Sequence, residues 1–202
     1  MNEVNQNNQK INTASKRFKV VSASDKPKGR YLANWLLKKS YHLKKEIEQQ
    51  GPKYFDQYKK GTIVMIDFGV NIGNELSNHH FGIVISKGDN KRNGILTVLP
   101  LSSKFSKHYL KLDDELFKTI VADFKKKVSE IKSELIRFNK ILNKYEKYNN
   151  DSYVCIKNIQ TISKHRIITI NEFDPSGTIR LSKSTMDRID RELVKIYTDI
   201  KI

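Results

Sequence analysis

Two adjacent histidines, His79 and His80, follow Glu75 within one short segment. Histidine titrates near neutrality, so it can take or release a proton under ordinary conditions. A carboxylate beside it can act as a second base or orient the imidazole ring. The same residues have a plainer reading, in which Gly73-Asn74-Glu75 shapes a loop and the histidines hydrogen-bond and orient Phe81. Farther on, Ser102-Ser103-Lys104 and Lys107 offer hydroxyls and cations suited to phosphate oxygens. Their alternative is a strand end whose serines satisfy turn amides, followed by a solvated charge run. Asn74 and Asn78 carry amides able to read base edges, while Phe81 and Tyr109 carry rings able to stack on bases. Phe81 also begins an apolar strand and fits a core equally well. Cys155 is the single cysteine, so no intrachain disulfide forms and no Cys-His cluster offers a zinc site. It reads as a small buried strand residue, and neither metal nor cofactor is expected.

The charge balance points the same way as the lysines. Lys and Arg number 38 against 22 Asp and Glu, a formal charge of +16 that attracts polyanions. Nucleic acid is the leading partner class, ahead of an acidic protein or an anionic lipid surface. No apolar run is long enough to span a bilayer, and the N-terminus lacks the apolar stretch of a secretory signal. A cytoplasmic location without a membrane partner is expected by elimination.

These residues need elements to position them. Residues 1–30 are rich in Asn, Lys and Ser and read as a flexible basic tail. A helical extension over 31–60 follows, where Leu32, Trp35, Leu36, Leu43 and Ile47 recur near helical spacing until Gly51-Pro52 stops the helix. From residue 61 the pattern is strand-like: Thr62–Phe68, Phe81–Ser86, Gly94–Leu99 and His108–Leu112. The period then lengthens. Phe124, Val128, Ile131, Leu135, Phe138, Leu142 and Tyr145 step by four and three, predicting one amphipathic helix from about Asp114 to Tyr148 inside an insertion at 113–150. Short strands return at Tyr153–Ile156, Ile159–Ile162, Arg166–Thr169 and Thr178–Leu181, the last after the turn Asp174-Pro175-Ser176-Gly177. A closing helix starts at Ser182 or Ser184 and presents Met186, Ile189, Leu193 and Ile196. The expected fold is α+β: a small antiparallel barrel or curled sheet over 61–202, with an N-terminal, an inserted and a C-terminal helix.

Several of these segments, in order, resemble the MazF/PemK toxins of type II toxin–antitoxin systems. Gly61-Thr62-Ile63-Val64-Met65-Ile66-Asp67-Phe68-Gly69 is similar to the family's first strand. Gly73-Asn74-Glu75-Leu76, running into His79-His80-Phe81-Gly82-Ile83-Val84-Ile85-Ser86, is similar to its Gly-x-Glu loop and second strand. Val98-Leu99-Pro100-Leu101-Ser102-Ser103-Lys104 resembles the third strand with its hydroxyl residues, and Ile159-Gln160-Thr161-Ile162-Ser163-Lys164-His165-Arg166-Ile167 resembles the Ile-x-Thr-Leu/Ile-x-Lys-x-Arg stretch. The likeness spans about 61–112 and 152–198.

The resemblance implies an SH3-like barrel of the MazF/CcdB kind, a homodimer with single-stranded RNA in a groove near its interface, and a cognate antitoxin. It also implies metal-independent, sequence-selective endoribonuclease action. Cleavage of this kind needs a base for the 2′-hydroxyl, an acid for the leaving 5′-oxygen and donors for the phosphorane. An arginine before the second strand and a hydroxyl after the third supply these roles in many members; His80 and Ser102 stand at those positions here. Glu75 and His79 are the assisting candidates, with Asn74, Asn78, Ser103, Lys104, Lys107 and Lys157 as RNA contacts. Some relatives carry an arginine and an aspartate in the strand matching Tyr153–Lys157, where this chain has Cys155 and Lys157. Two rivals follow: a non-cleaving module that binds nucleic acid or protein on the same barrel, and, ranked last, a gyrase poison like CcdB.

Overall fold

The computed structural model describes residues 2–112, 115–129, 151–169 and 177–200. The chain divides into two compact units, Met1–Pro52 with Phe68–Asn78, and Lys53–Asp67 with His79–Ile202.

In the first unit, α1 spans Glu3–Ser22 and α2 spans Pro27–Ile47. The expected tail over 1–30 is therefore helical through most of its length. Its polar composition is explained by exposure: no residue of α1 is buried, so the helix needs no apolar face of its own. Asn2 caps it, its side chain accepting from the Val4 amide, with Glu3 in the first turn. α2 begins four residues earlier than the apolar spacing indicates, because Pro27 occupies its first turn, where a missing N–H costs nothing. It ends at Ile47, ahead of Gly51, and Gln49 takes the left-handed conformation (φ 53).

The segment Phe68–Asn78 is bound into the same unit. The Lys28 ammonium donates to the carbonyls of Asn71 and Gly73, both at 2.7 Å. The Asn71 side-chain amide donates to the Phe68 and Leu76 carbonyls, and the Asn78 amide donates to the Gly69 carbonyl at 2.7 Å. Gly69 is required twice over: its φ is +76, and a Cβ there would lie 1.9 Å from the Trp35 indole nitrogen.

The second unit is built on an open six-stranded antiparallel sheet: β1 Ile63–Asp67, β2 His79–Val84, β3 Ile95–Ser102, β4 Leu110–Lys111, β5 Tyr153–Val154 and β6 Gln160–Ser163. The order is β1-β2-β3-β5-β4, with β6 also paired to β3. β-branched and apolar runs make β1 to β3 the buried centre. Two segments expected as strands are reduced to isolated bridges along the other edge of β1. Ile167, after a 3-10 turn at Lys164–Arg166, pairs with Ile66, and Arg180 pairs with Thr62. Backbone bonds from Ile168 to Met65 and from Ile63 to Ile179 complete that edge piecewise. The Asp174–Ser176 part of the expected turn lies outside the described residues.

Odd-numbered positions of β1 to β3, among them Met65, Phe81, Ile83, Leu99 and Leu101, form the core with Val154 and Ile156. Two helices cover it. α3 (Glu115–Ser129) contributes Leu116 and Ile120; α4 (Lys183–Tyr197) contributes Met186 and Ile189. Ser182 caps α4 by accepting from the Thr185 amide at 3.2 Å. The continuation of the inserted helix over 130–150, with most of its apolar stripe, lies outside the described residues.

A buried clasp joins the loop before β1 to the β2–β3 turn and the end of β6. Lys164, 2% exposed at its side chain, donates to Asp89 Oδ2 (2.8 Å) and to the carbonyls of Asp56 (2.8 Å) and Asn90 (3.3 Å). All three ammonium protons are therefore used. The Tyr58 amide adds a bond to Asp89 Oδ2, and burial, with Asp56 and Asp89 nearby, pushes the Tyr58 phenol up to about 12.

Candidate functional site

Register places the chemical residues more tightly than their spacing does. His80 on β2 pairs with Ile66 on β1. The β2–β3 ladder runs to Gly82↔Pro100, and continuing it by two residues sets His80 level with Ser102. The bond between His80 Nδ1 and the Leu101 carbonyl, 3.1 Å, fits that alignment. Ser102 then pairs with Tyr153 on β5, and Tyr153 with Lys111 on β4. Opposed residues share one sheet face, with Cβ atoms roughly 4.5–5.5 Å apart. Ile66, His80, Ser102, Tyr153 and Lys111 thus fall in one row across five strands, on the face opposite the Met65–Phe81–Leu101 cluster, with Ile66 fully buried at one end and Lys111 exposed at the other.

Each polar member of the row is held by a specific partner. A carbonyl only accepts, so the His80–Leu101 bond requires the proton on Nδ1. Ser102 Oγ accepts from the Lys104 amide at 3.0 Å, and its own proton points to the Lys104 carbonyl at 3.4 Å, at the weak end of hydrogen-bond geometry. Asp151 joins the far end, accepting from Lys111 Nζ at 2.8 Å and from the Tyr153 hydroxyl at 3.2 Å. The Lys111 ammonium holds the Asp151 carboxyl below its usual range; burial and the Asp151 bond hold the Tyr153 phenol above its own.

Alternation along β2 separates the two histidines. His79 lies on the face opposite His80, pairs in register with Asp67, and sets Nε2 3.8 Å from Asp67 Oδ1. Asn74 and Glu75 are exposed in the Phe68–Asn78 loop of the first unit. Asn78, in the same loop, adopts φ 73, a conformation asparagine tolerates, and its buried Oδ1 has no hydrogen-bond partner among the described residues. Ser103, Lys104 and Lys107 are exposed beyond β3, and Lys157 is exposed on the 3-10 turn Ile156–Asn158. Lys164, part of the motif after β5, is consumed in the clasp. Cys155 is fully buried, and burial pushes its thiol up to about 11 despite a Tyr109 hydrogen bond.

Sequence reasoning missed Tyr153, Asp151, Lys111 and Phe105, the ring of which meets Tyr153 edge-on at 5.8 Å. The available signal was the alternation of Tyr153 against the apolar Val154, which marks Tyr153 as facing away from the core. Among the described residues, no group of three or more His, Cys, Asp or Glu is arranged to hold a metal ion. None of their helices is long and apolar enough to cross a membrane. Comparison with curated proteins gives no match. A family model described as PemK-like, MazF-like toxin of type II toxin-antitoxin system matches residues 59–197.

Proposed function

Because the chain belongs to the PemK-like, MazF-like toxins of type II toxin–antitoxin systems, we propose that it is a metal-independent ribonuclease cutting single-stranded RNA at selected sequences. The observation that carries the reading is the 3.1 Å bond from His80 Nδ1 to the Leu101 carbonyl, which sets His80 beside Ser102, the two positions where the family resemblance puts its acid–base and hydroxyl groups. His80, with Nδ1–H fixed on Leu101, uses Nε2 as the base for the 2′-hydroxyl. The 2′-oxygen attacks phosphorus, the bond to the 5′-oxygen breaks, the protonated His80 or solvent returns a proton to that leaving oxygen, and a 2′,3′-cyclic phosphate remains. Ser102, held by the Lys104 amide, donates its hydroxyl proton to a phosphorane oxygen. Glu75 is the second acid–base candidate. His79, on the other face with Asp67, is assigned to holding the strand end.

The proposal extends to an SH3-like barrel formed by the curled sheet, a homodimer, a cytoplasmic location and restraint by a cognate antitoxin. Asn74, Asn78, Ser103, Lys104, Lys107 and Lys157 are assigned to the RNA strand. With a formal charge of +16, binding weakens steeply as salt rises. A second reading, a barrel that binds nucleic acid without cutting it, rests on His80 standing where many relatives carry arginine.

Incubating the protein with long single-stranded RNA in EDTA, with end-group analysis, separates the two. Discrete fragments with cyclic phosphate ends, lost in His80→Ala and Ser102→Ala, support the ribonuclease. RNA that shifts on a gel yet stays intact at every pH supports the binding module and removes the nuclease.

A further inference from the structure

Phe105 is 76% exposed, although it lies only three residues beyond Ser102 in a segment whose other members are polar. A single exposed phenylalanine is ordinary on a protein surface. This one is distinguished by what stands behind it. Its ring meets the Tyr153 ring edge-on, with centroids 5.8 Å apart and planes at 74°. Tyr153 is 9% exposed and is itself pinned, its hydroxyl donating to Asp151 Oδ2, which Lys111 Nζ holds from the other side. Tyr153 is also the cross-strand partner of Ser102. The exposed ring is therefore seated on a rigid aromatic base one strand from the serine, with the exposed Lys104 and Lys107 on either side of it in sequence.

We propose that Phe105, backed by Tyr153, is the stacking platform for one unpaired nucleobase adjacent to the phosphate at Ser102. Resting on the ribonuclease reading, the assignment names a specificity residue that the family likeness does not supply. A flat ring without hydrogen-bonding groups suits a base face, which every nucleotide presents, and the flanking lysines suit its phosphates. The Tyr153 hydroxyl is committed to Asp151, so Tyr153 serves by fixing the platform and takes no part in proton transfer. Stacking of this kind discriminates by ring size: a purine covers Phe105 more fully than a pyrimidine, and an abasic nucleotide leaves it bare.

The test uses the full-length protein and an abasic scan. Cut sites in a long single-stranded RNA are mapped first for the wild type. A short oligonucleotide spanning one site is then made with a 2′-deoxy nucleotide at the cut, which removes the attacking hydroxyl, and with an abasic residue at each neighbouring position in turn. Phe105→Ala is expected to weaken binding roughly 5- to 150-fold, the range for loss of one base–aromatic stack. Phe105→Trp should retain affinity and show emission quenched on binding, measured against the parent signal of Trp35. At one position the abasic substitution should cost the wild type the same factor and cost Phe105→Ala nothing further. If Phe105→Ala binds and cuts as the wild type does, or if its loss multiplies with the abasic loss at every position, the platform is refuted while the ribonuclease stands. If the wild type binds RNA without cutting, a footprinted binding site replaces the cut site, and the same abasic scan decides the platform while the ribonuclease falls. If the wild type neither binds nor cuts, both readings fall together.

Discussion

Replacing Lys164 with methionine keeps the length and apolar stem of the side chain and deletes its charge. What remains is Asp89, with its side chain 0% exposed, facing a hole where three donated bonds ended. At 2.8 Å and an effective dielectric near 20, the lost attraction is about 6 kcal/mol. Part of that is offset because the ammonium no longer has to be desolvated, so the net cost is about 3–5 kcal/mol, the usual range for breaking a buried pair. Over a domain of this size the melting temperature should fall by roughly 6–20 °C. Burial alone would raise the Asp89 carboxyl, but the bonds from Lys164 and the Tyr58 amide outweigh it and hold the group below 3.8. A depressed carboxyl contributes stability that is complete above its unfolded pKa and is lost as pH falls through the folded value. In the variant the carboxyl has burial without its cation and titrates higher. The stability gap between wild type and variant should thus be widest near neutral pH and narrow as the solution is acidified. Adding Asp89→Asn to Lys164→Met should recover part of the loss. Thermal melts at a series of pH values measure all of this. A loss below about 1 kcal/mol, or a gap independent of pH, would refute the reasoning.

Gly69→Ala should destabilise the helical unit by about 1–3 kcal/mol, since it combines a left-handed φ with overlap of the Trp35 indole; protease digestion of the Phe68–Asn78 loop is the readout. Gly82→Ala puts a methyl 2.4 Å from Ile66 Cδ1 and should cost about 1–3 kcal/mol in a thermal melt, lowering RNA cleavage per folded molecule only if the His80 row shifts with Ile66. Cys155 should resist alkylating reagents at pH 8 until the protein is unfolded, because its thiol is fully buried and pushed up to about 11; rapid labelling of the native protein would show that the junction between β5 and the following 3-10 turn opens.

The central strands were legible because Ile63–Asp67 and its neighbours are runs of β-branched and apolar residues with only one stable use. The cap of α4 was legible as Ser182 or Ser184, because serine before an amphipathic stretch satisfies free amides at little cost, and the structure selects Ser182. α1 was hidden by the same logic, since an exposed helix leaves no apolar periodicity to detect. The row from His80 to Lys111 could be read only in part. His80 and Ser102 came through family likeness, whereas Tyr153 and Asp151 join them by strand register across the helical insertion, which residue spacing does not encode. The Lys164 clasp was missed for a related reason: its partner Asp89 is 75 positions away, and a lysine in a basic chain carries no mark of burial.

The loop Phe68–Asn78 lies inside the family region, yet its hydrogen bonds run to a helix outside it. Lys28 holds two of its carbonyls, and Trp35 fills the space above Gly69. A chain trimmed to residues 59–197 would keep every residue of the loop and lose its anchor. The toxin core and its leading helices are therefore not separable parts in the sense their boundaries suggest: the extension has become scaffolding for a loop the core supplies. Change in the extension, through mutation, truncation or capture by another molecule, reaches that loop directly, without touching any strand of the sheet.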